Sequence, residues 1–256
     1  MLIARKMTKR YGEATALASL DLEIARGEVF CLLGPNGAGK TTTINLFLGF
    51  TQPTSGESWV GTVHVQADPL AARARIAYVP EQVRLYPHLT GCENLAYFLQ
   101  LASARAPRRS ELEAQLTGAG LPPSALHRRA DGYSKGMRQK VVLALAHAKQ
   151  AQALLLDEPT SGLDPSAADE LYAGLRRERD RGAAVLMVTH DLSAVTGVAT
   201  RFGIMKSGRL VHVGAAAGLS EADVQALYRQ HLRPTVEATF SPASVASVGQ
   251  PALSEP

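Results

Sequence analysis

At 256 residues, 46% of them hydrophobic and 20% charged, the chain has the length for one large domain or two small ones and the balance of a soluble globular protein. The formal net charge of +4 is too slight for a dedicated nucleic-acid binder, so no nucleic-acid partner is expected. Two cysteines, Cys31 and Cys92, leave no disulfide framework or thiolate metal site and fit a reducing compartment.

Aromatic residues make up only 5%, so the core must be mainly aliphatic. Arginines gather at Arg105–Arg109, at Arg128 and Arg129, and from Arg176 to Arg181. They read as solvated faces, with contact to anionic lipid or a membrane partner as the alternative. Lys6, Lys9 and Arg10 break the opening stretch, so no signal peptide is expected. The longest apolar runs, such as Ala183–Val188, have strand length, well short of the roughly 18 residues a membrane span needs.

In chain order, short apolar alternations predict strands at Leu2–Met7 and Ala16–Ile24, with a turn at Tyr11–Gly12. Glu28–Leu33 is an apolar strand, with Cys31 as a small buried hydrophobe, running into a Gly-rich loop over Gly34–Gly39. A helix is predicted from Lys40 to about Phe50, a turn-rich stretch over Thr51–Gly56, and a strand at Ile76–Val79. Helical signals dominate from Thr90 to Gln150, where Leu95, Phe98, Leu99 and Ala102 share one face. Ala106–Pro107 and Leu121–Pro122–Pro123 divide that region into several helices.

Ala153–Asp157 is a strand ending in carboxylates, followed by a helix over Ser166–Arg181 and a strand over Ala184–Thr189. Ile204–Met205 and Leu210–Val213 flank Lys206-Ser207-Gly208 as a hairpin, and Ser220 with Asp223 opens a last helix. The tail from Pro234 reads as flexible, with a short strand at Thr235–Phe240 as an alternative. Strands alternating with helices predict an α/β fold on a mainly parallel sheet, with a helical subdomain inserted at about 83–150 of a domain spanning 2–233.

Gly34-Pro35-Asn36-Gly37-Ala38-Gly39-Lys40-Thr41 fits the phosphate-loop pattern G-x-x-x-x-G-K-[ST], between an apolar strand and a helix. Glycines let the backbone curl so that N–H groups converge on phosphate oxygens, and the helix N-terminus faces the same anion. Lys40 places an ammonium against the β- and γ-phosphates, and the Thr41 hydroxyl can coordinate Mg²⁺. Asp157, at a strand's carboxyl edge, is placed to hold Mg²⁺ through its water shell. The next residue, Glu158, is placed to orient or deprotonate an attacking water, and His190 ends another strand within reach of the γ-phosphate. Taken singly, a carboxylate pair can be a helix start and a histidine a polar strand end; the phosphate loop upstream favours the catalytic reading.

With these motifs placed, the sequence resembles the ATP-binding cassette family of transporter subunits over about residues 2–215. The resemblance implies a P-loop nucleotide-hydrolase core with an N-terminal antiparallel β subdomain and the helical insertion. Tyr11, in Lys9-Arg10-Tyr11-Gly12, matches the aromatic that stacks on adenine, and the phosphate loop extends to Thr42. Gln82, in Tyr78-Val79-Pro80-Glu81-Gln82, matches the glutamine that senses Mg²⁺ and contacts the membrane partner. Tyr133-Ser134-Lys135-Gly136-Met137-Arg138-Gln139 matches the signature, with Lys135 and Met137 departing from the commonest spelling, Leu-Ser-Gly-Gly-Gln. Ser161-Gly162-Leu163-Asp164 matches the loop across the dimer, and His190 the switch histidine.

The resemblance further implies ATP and Mg²⁺ as ligands and a head-to-tail pair with a second copy or a paralogous cassette. It also implies a separate transmembrane permease that holds the chain at the cytoplasmic face of the inner membrane. The signature spelling is similar to that of exporter-type cassettes, and the forty or so residues after Gly214 are too few for an added regulatory domain. The alternative is a soluble cassette ATPase of the translation or repair type. Against it stand a single cassette and only about ninety residues between Thr42 and Ser134.

Overall fold

The computed structural model describes residues 1–102 and 107–232. Arg105 of the first arginine cluster, the Thr235–Phe240 strand alternative and the tail from Pro234 lie outside the described residues.

The chain opens with two long antiparallel strands, β1 (Leu2–Tyr11) and β2 (Ala14–Ile24). They run further than the alternation suggests, and the turn between them falls at Gly12–Glu13. Next come β3 (Val29–Leu33) and helix α1 (Lys40–Phe47). α1 stops three residues short of Phe50 because its end is sealed: Gly49 N–H bonds the Leu46 carbonyl at 3.2 Å and Phe50 N–H the Asn45 carbonyl at 2.9 Å. The stretch read as turn-rich then enters β4 (Ser55–Val60), which pairs with β1 across an irregularity between Arg5 and Thr8. Two short elements escape the sequence pattern: β5 (Val63–His64) and α2 (Pro69–Ala74). Asp68 caps α2 by accepting from Ala71 N–H at 2.9 Å, with Pro69 in the first turn.

Strand β6 (Ile76–Val79) leads into the helical insertion: α3 (Gly91–Ala102), α4 (Arg109–Gly118) and α5 (Lys135–Ala148). These helices have a core of their own, with Leu95 and Leu99 of α3 against Leu112 and Leu116 of α4 and Val141 and Ala144 of α5. The buried face of α3 is Cys92, Leu95 and Leu99, with Phe98 partly covered; Ala102 is exposed, one turn beyond the packed stretch. After the insertion come β7 (Ala153–Asp157), α6 (Pro165–Asp180), β8 (Ala184–Thr189) and the short α7 (Ser193–Val198). The chain then runs through β9 (Arg201–Lys206), β10 (Arg209–Ala215) and α8 (Glu221–Leu232). β9 and β10 close a two-residue hairpin in which Ser207 and Gly208 both have positive φ, the twist-matched turn of antiparallel strands. Ser220 and Asp223 cap α8 reciprocally.

Two sheets result. One is antiparallel, in the order β2-β1-β4-β5; the other has the order β10-β9-β3-β8-β7-β6 and is parallel except for the edge strand β10. Every residue of β3, β7 and β8 is buried, because the parallel sheet is covered on both faces. Their side chains divide with a period of two. Phe30, Leu32, Leu155, Leu186 and Val188 join the core shared with α1 and the antiparallel sheet. Cys31, Leu33, Leu154, Leu156, Val185 and Met187 join the opposite core under α6 and α7. The carboxyl ends of β3, β7 and β8 therefore open at one edge, where the phosphate loop, Asp157–Glu158 and His190 follow directly.

Candidate nucleotide site

The loop between β3 and α1 is curled over its own carbonyls. Lys40, the first residue of α1 and only 6% exposed, turns its ammonium back to the Gly34 carbonyl at 2.6 Å and the Pro35 carbonyl at 3.3 Å. Gly39 has φ +105 and a Cβ there would stand 2.5 Å from the Ala16 carbonyl, so only glycine fits that position. No side chain caps the start of α1, and Gly39 to Thr42 line a cavity of about 440 Å³. Its walls are the loop from Pro35 to Thr42, together with Ala16, Glu81, Asp157 and Glu158. Larger clefts exist, one of about 900 Å³ on the antiparallel sheet beside Arg5, Asp21 and Glu57, but it has no phosphate-binding loop. Chemistry, not size, selects the smaller one.

Asp157 ends β7 and is nearly buried, and the Thr41 hydroxyl donates to its Oδ1 at 3.4 Å. Burial raises its pKa above the usual carboxylate value; the Thr41 hydrogen bond opposes this, while the charges of Glu158 and Glu81 reinforce it. A cation brought between Asp157, Thr41 and phosphate oxygens would relieve that strain. Among the described residues no three His, Cys, Asp or Glu side chains gather to hold a metal by themselves. The donor set therefore suits a Mg²⁺ shared with substrate phosphates.

Glu158 takes a left-handed backbone, φ 45, which costs strain in a non-glycine residue. That turn swings its side chain away from Asp157 and towards the end of β8. One carboxylate oxygen accepts from the Thr189 hydroxyl at 2.9 Å and from His190 N–H at 3.2 Å, and meets His190 Nδ1 at 2.9 Å. The other lies 3.6 Å from the Lys40 ammonium. The His190 ring is more than half exposed, so one side is free for a ligand.

The remaining sequence-predicted residues lie around this centre. Tyr11, at the end of β1, is 52% exposed with Lys9 Nζ 4.8 Å from its ring centre, an open aromatic face outside the phosphate cavity. Gln82 is exposed, and the loop after β6 turns its neighbour Glu81 into the cavity wall instead. Ser134 caps α5, accepting from Met137 N–H at 3.3 Å, and is exposed. Gly136 and Met137 are half-buried beside it, and none of residues 134–137 lines the cavity of its own chain. The Lys135 ammonium is bonded to the Ser161 carbonyl of its own chain. Asp164 caps α6 through Ala167 N–H at 2.9 Å. Sequence reasoning missed Glu81 and Thr189. Thr189 was readable only as the last residue of β8, and its hydroxyl role follows from the neighbouring turn at Glu158.

A phosphate loop after β3 and two successive carboxylates at the end of β7, with β8 between them on a covered parallel sheet, define a P-loop nucleoside triphosphatase. The family model described as ABC transporter matches residues 17–161, and the chain belongs to that family.

It is 34% identical over 224 residues to the Nod factor export ATP-binding protein I of Paraburkholderia xenovorans, covering 86% of this chain and 72% of that protein. It is 33% identical to the glycine betaine/carnitine/choline transport ATP-binding protein OpuCA of Bacillus subtilis, covering 84% of this chain and 57% of that protein. Among solved structures it superposes on the dimeric ATP-binding cassette MJ0796, in a post-hydrolysis state bound to ADP and Pi. There the TM-score is 0.75 and the identity 27%, over 86% of this chain and all of that one. The chain is thus an ATP-binding and ATP-hydrolysing subunit of the ABC transporter class, whose cassettes dimerise and work with transporter partners.

Proposed function

We propose that the chain couples ATP hydrolysis to export through a separate permease, with Mg²⁺ bound at Thr41, Asp157 and the phosphates. The observation that carries the catalytic part is the placement of Glu158. It lines the phosphate cavity and is held there by Thr189, His190 and Lys40, which supports its use as the group that meets an attacking water. Glu158 takes the proton of that water and His190 orients it towards the γ-phosphate. Mg²⁺ would draw charge from the phosphates as the bond breaks. Lys40 and the α1 N-terminus stabilise the charge that develops there.

The site is incomplete in one chain. Ser134 and Gly136 lie outside their own cavity, and Ser134 is exposed at the N-terminus of α5, which supports a head-to-tail pair in which each signature closes the other's nucleotide. Tyr11 would stack on the base. The name of the Nod factor relative favours export, whereas the betaine relative belongs to a transport system named without direction. No helix of the described residues is long and apolar enough to cross a membrane, so the proposed seat at the cytoplasmic face of the inner membrane depends on the permease.

For that contact the insertion offers an aromatic cluster. Tyr97 packs edge to face on both Tyr86 and Phe98, with Tyr86 47% and Tyr97 38% exposed, and Leu101 of α3 69% exposed. The purified chain should turn over ATP with Mg²⁺ and lose turnover in EDTA. A chain that binds ATP but never hydrolyses it, with metal present, overturns the assignment of Glu158 and His190.

A further inference from the structure

Lys135 and Gln139 stand one turn apart on α5, on the same face, and that face meets the link between β7 and α6. The Gln139 side-chain amide donates to the Pro159 carbonyl at 2.6 Å, and Gln139 is 1% exposed. The Lys135 ammonium donates to the Ser161 carbonyl. On its other side the link is tied to the end of β8, where the Thr160 hydroxyl donates to Asp191 at 3.2 Å. Within the link, Ser161 N–H bonds back to the Glu158 carbonyl at 3.3 Å and Leu163 N–H to the Thr160 carbonyl at 3.0 Å. Glu158, with its strained backbone, begins this link and Asp164 ends it.

We infer that Lys135 and Gln139 are positioning residues that clamp residues 159–161 to α5 and thereby fix the Glu158 carboxylate. The inference rests on the ATPase reading. It gives Lys135 a task inside its own chain instead of a contact with nucleotide. The clamp attaches two successive turns of one helix to the Pro159 and Ser161 carbonyls, one and three residues beyond the proposed base. Because α5 starts at Ser134, a displacement of Ser134 by a ligand moves the clamp, and the clamp moves the link that carries Glu158. The Gln139 Oε1 has no hydrogen-bond partner although buried, so the amide is anchored through its nitrogen alone and can follow the link. A left-handed Glu158 is the kind of strained residue that holds its place only while its surroundings over-determine it.

The test is a pair of variants of the full chain, Lys135→Met and Lys135→Arg. Methionine keeps the length of the stem and removes the donor; arginine keeps a charged donor. Lys135→Met should lower kcat by about tenfold or more, the scale on which small misplacement of a catalytic group acts. KM for ATP, and affinity for a fluorescent ATP analogue in EDTA, should stay within about twofold, the split expected of an interaction that acts on the chemical step. Lys135→Arg should recover most of the turnover. The melting temperature of each variant identifies any loss of fold, and Gln139→Glu, which keeps the shape but loses the donated hydrogen bond, gives a second reading of kcat. A raised KM with unchanged kcat means that Lys135 touches nucleotide and overturns the clamp. Unchanged kcat and KM in a wild type that hydrolyses ATP also overturns it, while an inactive wild type would instead fault the ATPase reading.

Discussion

Glu158 and His190 follow the ends of adjacent strands, and the carboxylate of the first stands 2.9 Å from Nδ1 of the second. The contact exists because Glu158 leaves β7 with a positive φ while Asp157 before it stays in the strand. One left-handed residue thus separates two adjacent carboxylates into two tasks. The first faces Thr41, and the second faces Thr189, His190 and Lys40.

Replacing Glu158 with Gln keeps the shape of the side chain and removes the proton acceptor. Hydrolysis should fall by about a hundredfold or more, the usual worth of a general base, while ATP still binds. ATP should then hold two copies together, a dimer visible by size-exclusion chromatography that disappears without nucleotide. Turnover at the wild-type rate would remove Glu158 from the chemistry.

Lys40→Ala removes a cation that bonds two loop carbonyls and faces Glu158. Affinity for ATP should drop by about ten- to a hundredfold, from roughly 1.5–3 kcal/mol for a charge-assisted bond. Tyr11→Ala acts elsewhere. Its ring is open and remote from the phosphates, so KM for ATP should rise more than kcat falls. Isothermal titration and steady-state kinetics separate the two. An unchanged affinity in the tyrosine variant alone would leave Tyr11 without a role in base stacking.

Asp157 gives a pH prediction. Its folded pKa is raised, first by burial, so the native chain holds this proton more firmly than the unfolded chain does. Folding is therefore penalised in full above the folded pKa, and the penalty shrinks as pH falls below that value and is gone at the ordinary carboxylate value of the unfolded chain. Without nucleotide or metal, Asp157→Asn should melt higher than wild type at pH 7, and the difference should close as the pH is lowered from the folded pKa to the unfolded one. Mg²⁺-dependent turnover should be lost at every pH. A variant that melts lower than wild type at pH 7 would mean the carboxylate stabilises the empty site.

The sequence shows the strands well because β3, β7 and β8 are buried on both faces and read as unbroken apolar runs. The phosphate loop, the two carboxylates and His190 stand at the ends of those runs, so their common edge was legible too. The placing of Glu81 was not, because alternation stops with β6 at Val79 and nothing beyond Pro80 says which of two neighbouring exposed polar residues, Glu81 or Gln82, lines the cavity; Glu81 does. β5 has two residues and α2 six, too short for any period to register. The inward turn of Lys135 to Ser161 is a contact between segments 26 residues apart, and local pattern carries no such information.

The permease contact can be tested on the insertion. After β6 the sequence places the apolar Leu85, Tyr86, Pro87 and Leu89 beside Arg84 and His88. In the structure Leu85 is partly buried and packs against both the parallel-sheet core and the helical core, so a charge there would damage folding. Tyr86 faces outward instead, its hydroxyl 3.2 Å from that of Tyr97 and its ring 4.8 Å from the Tyr97 ring. The backbone beneath is rigid, because the buried Asn94 side chain bonds Tyr86 N–H at 2.8 Å and also the Tyr86, Leu89 and Thr90 carbonyls. Tyr86→Glu and Tyr97→Glu therefore change the surface without opening the core. Expressed with its permease, the wild-type chain should sediment with membranes, and the double variant should remain in the supernatant with ATP affinity unchanged. Leu85→Glu serves as a contrast, since it should lower the melting temperature whatever the partner. If the double variant still sediments with the permease, the contact lies on another face of the insertion. If the wild-type chain stays in the supernatant with every candidate permease, or co-purifies with ribosomes, the soluble cassette reading replaces the transporter one.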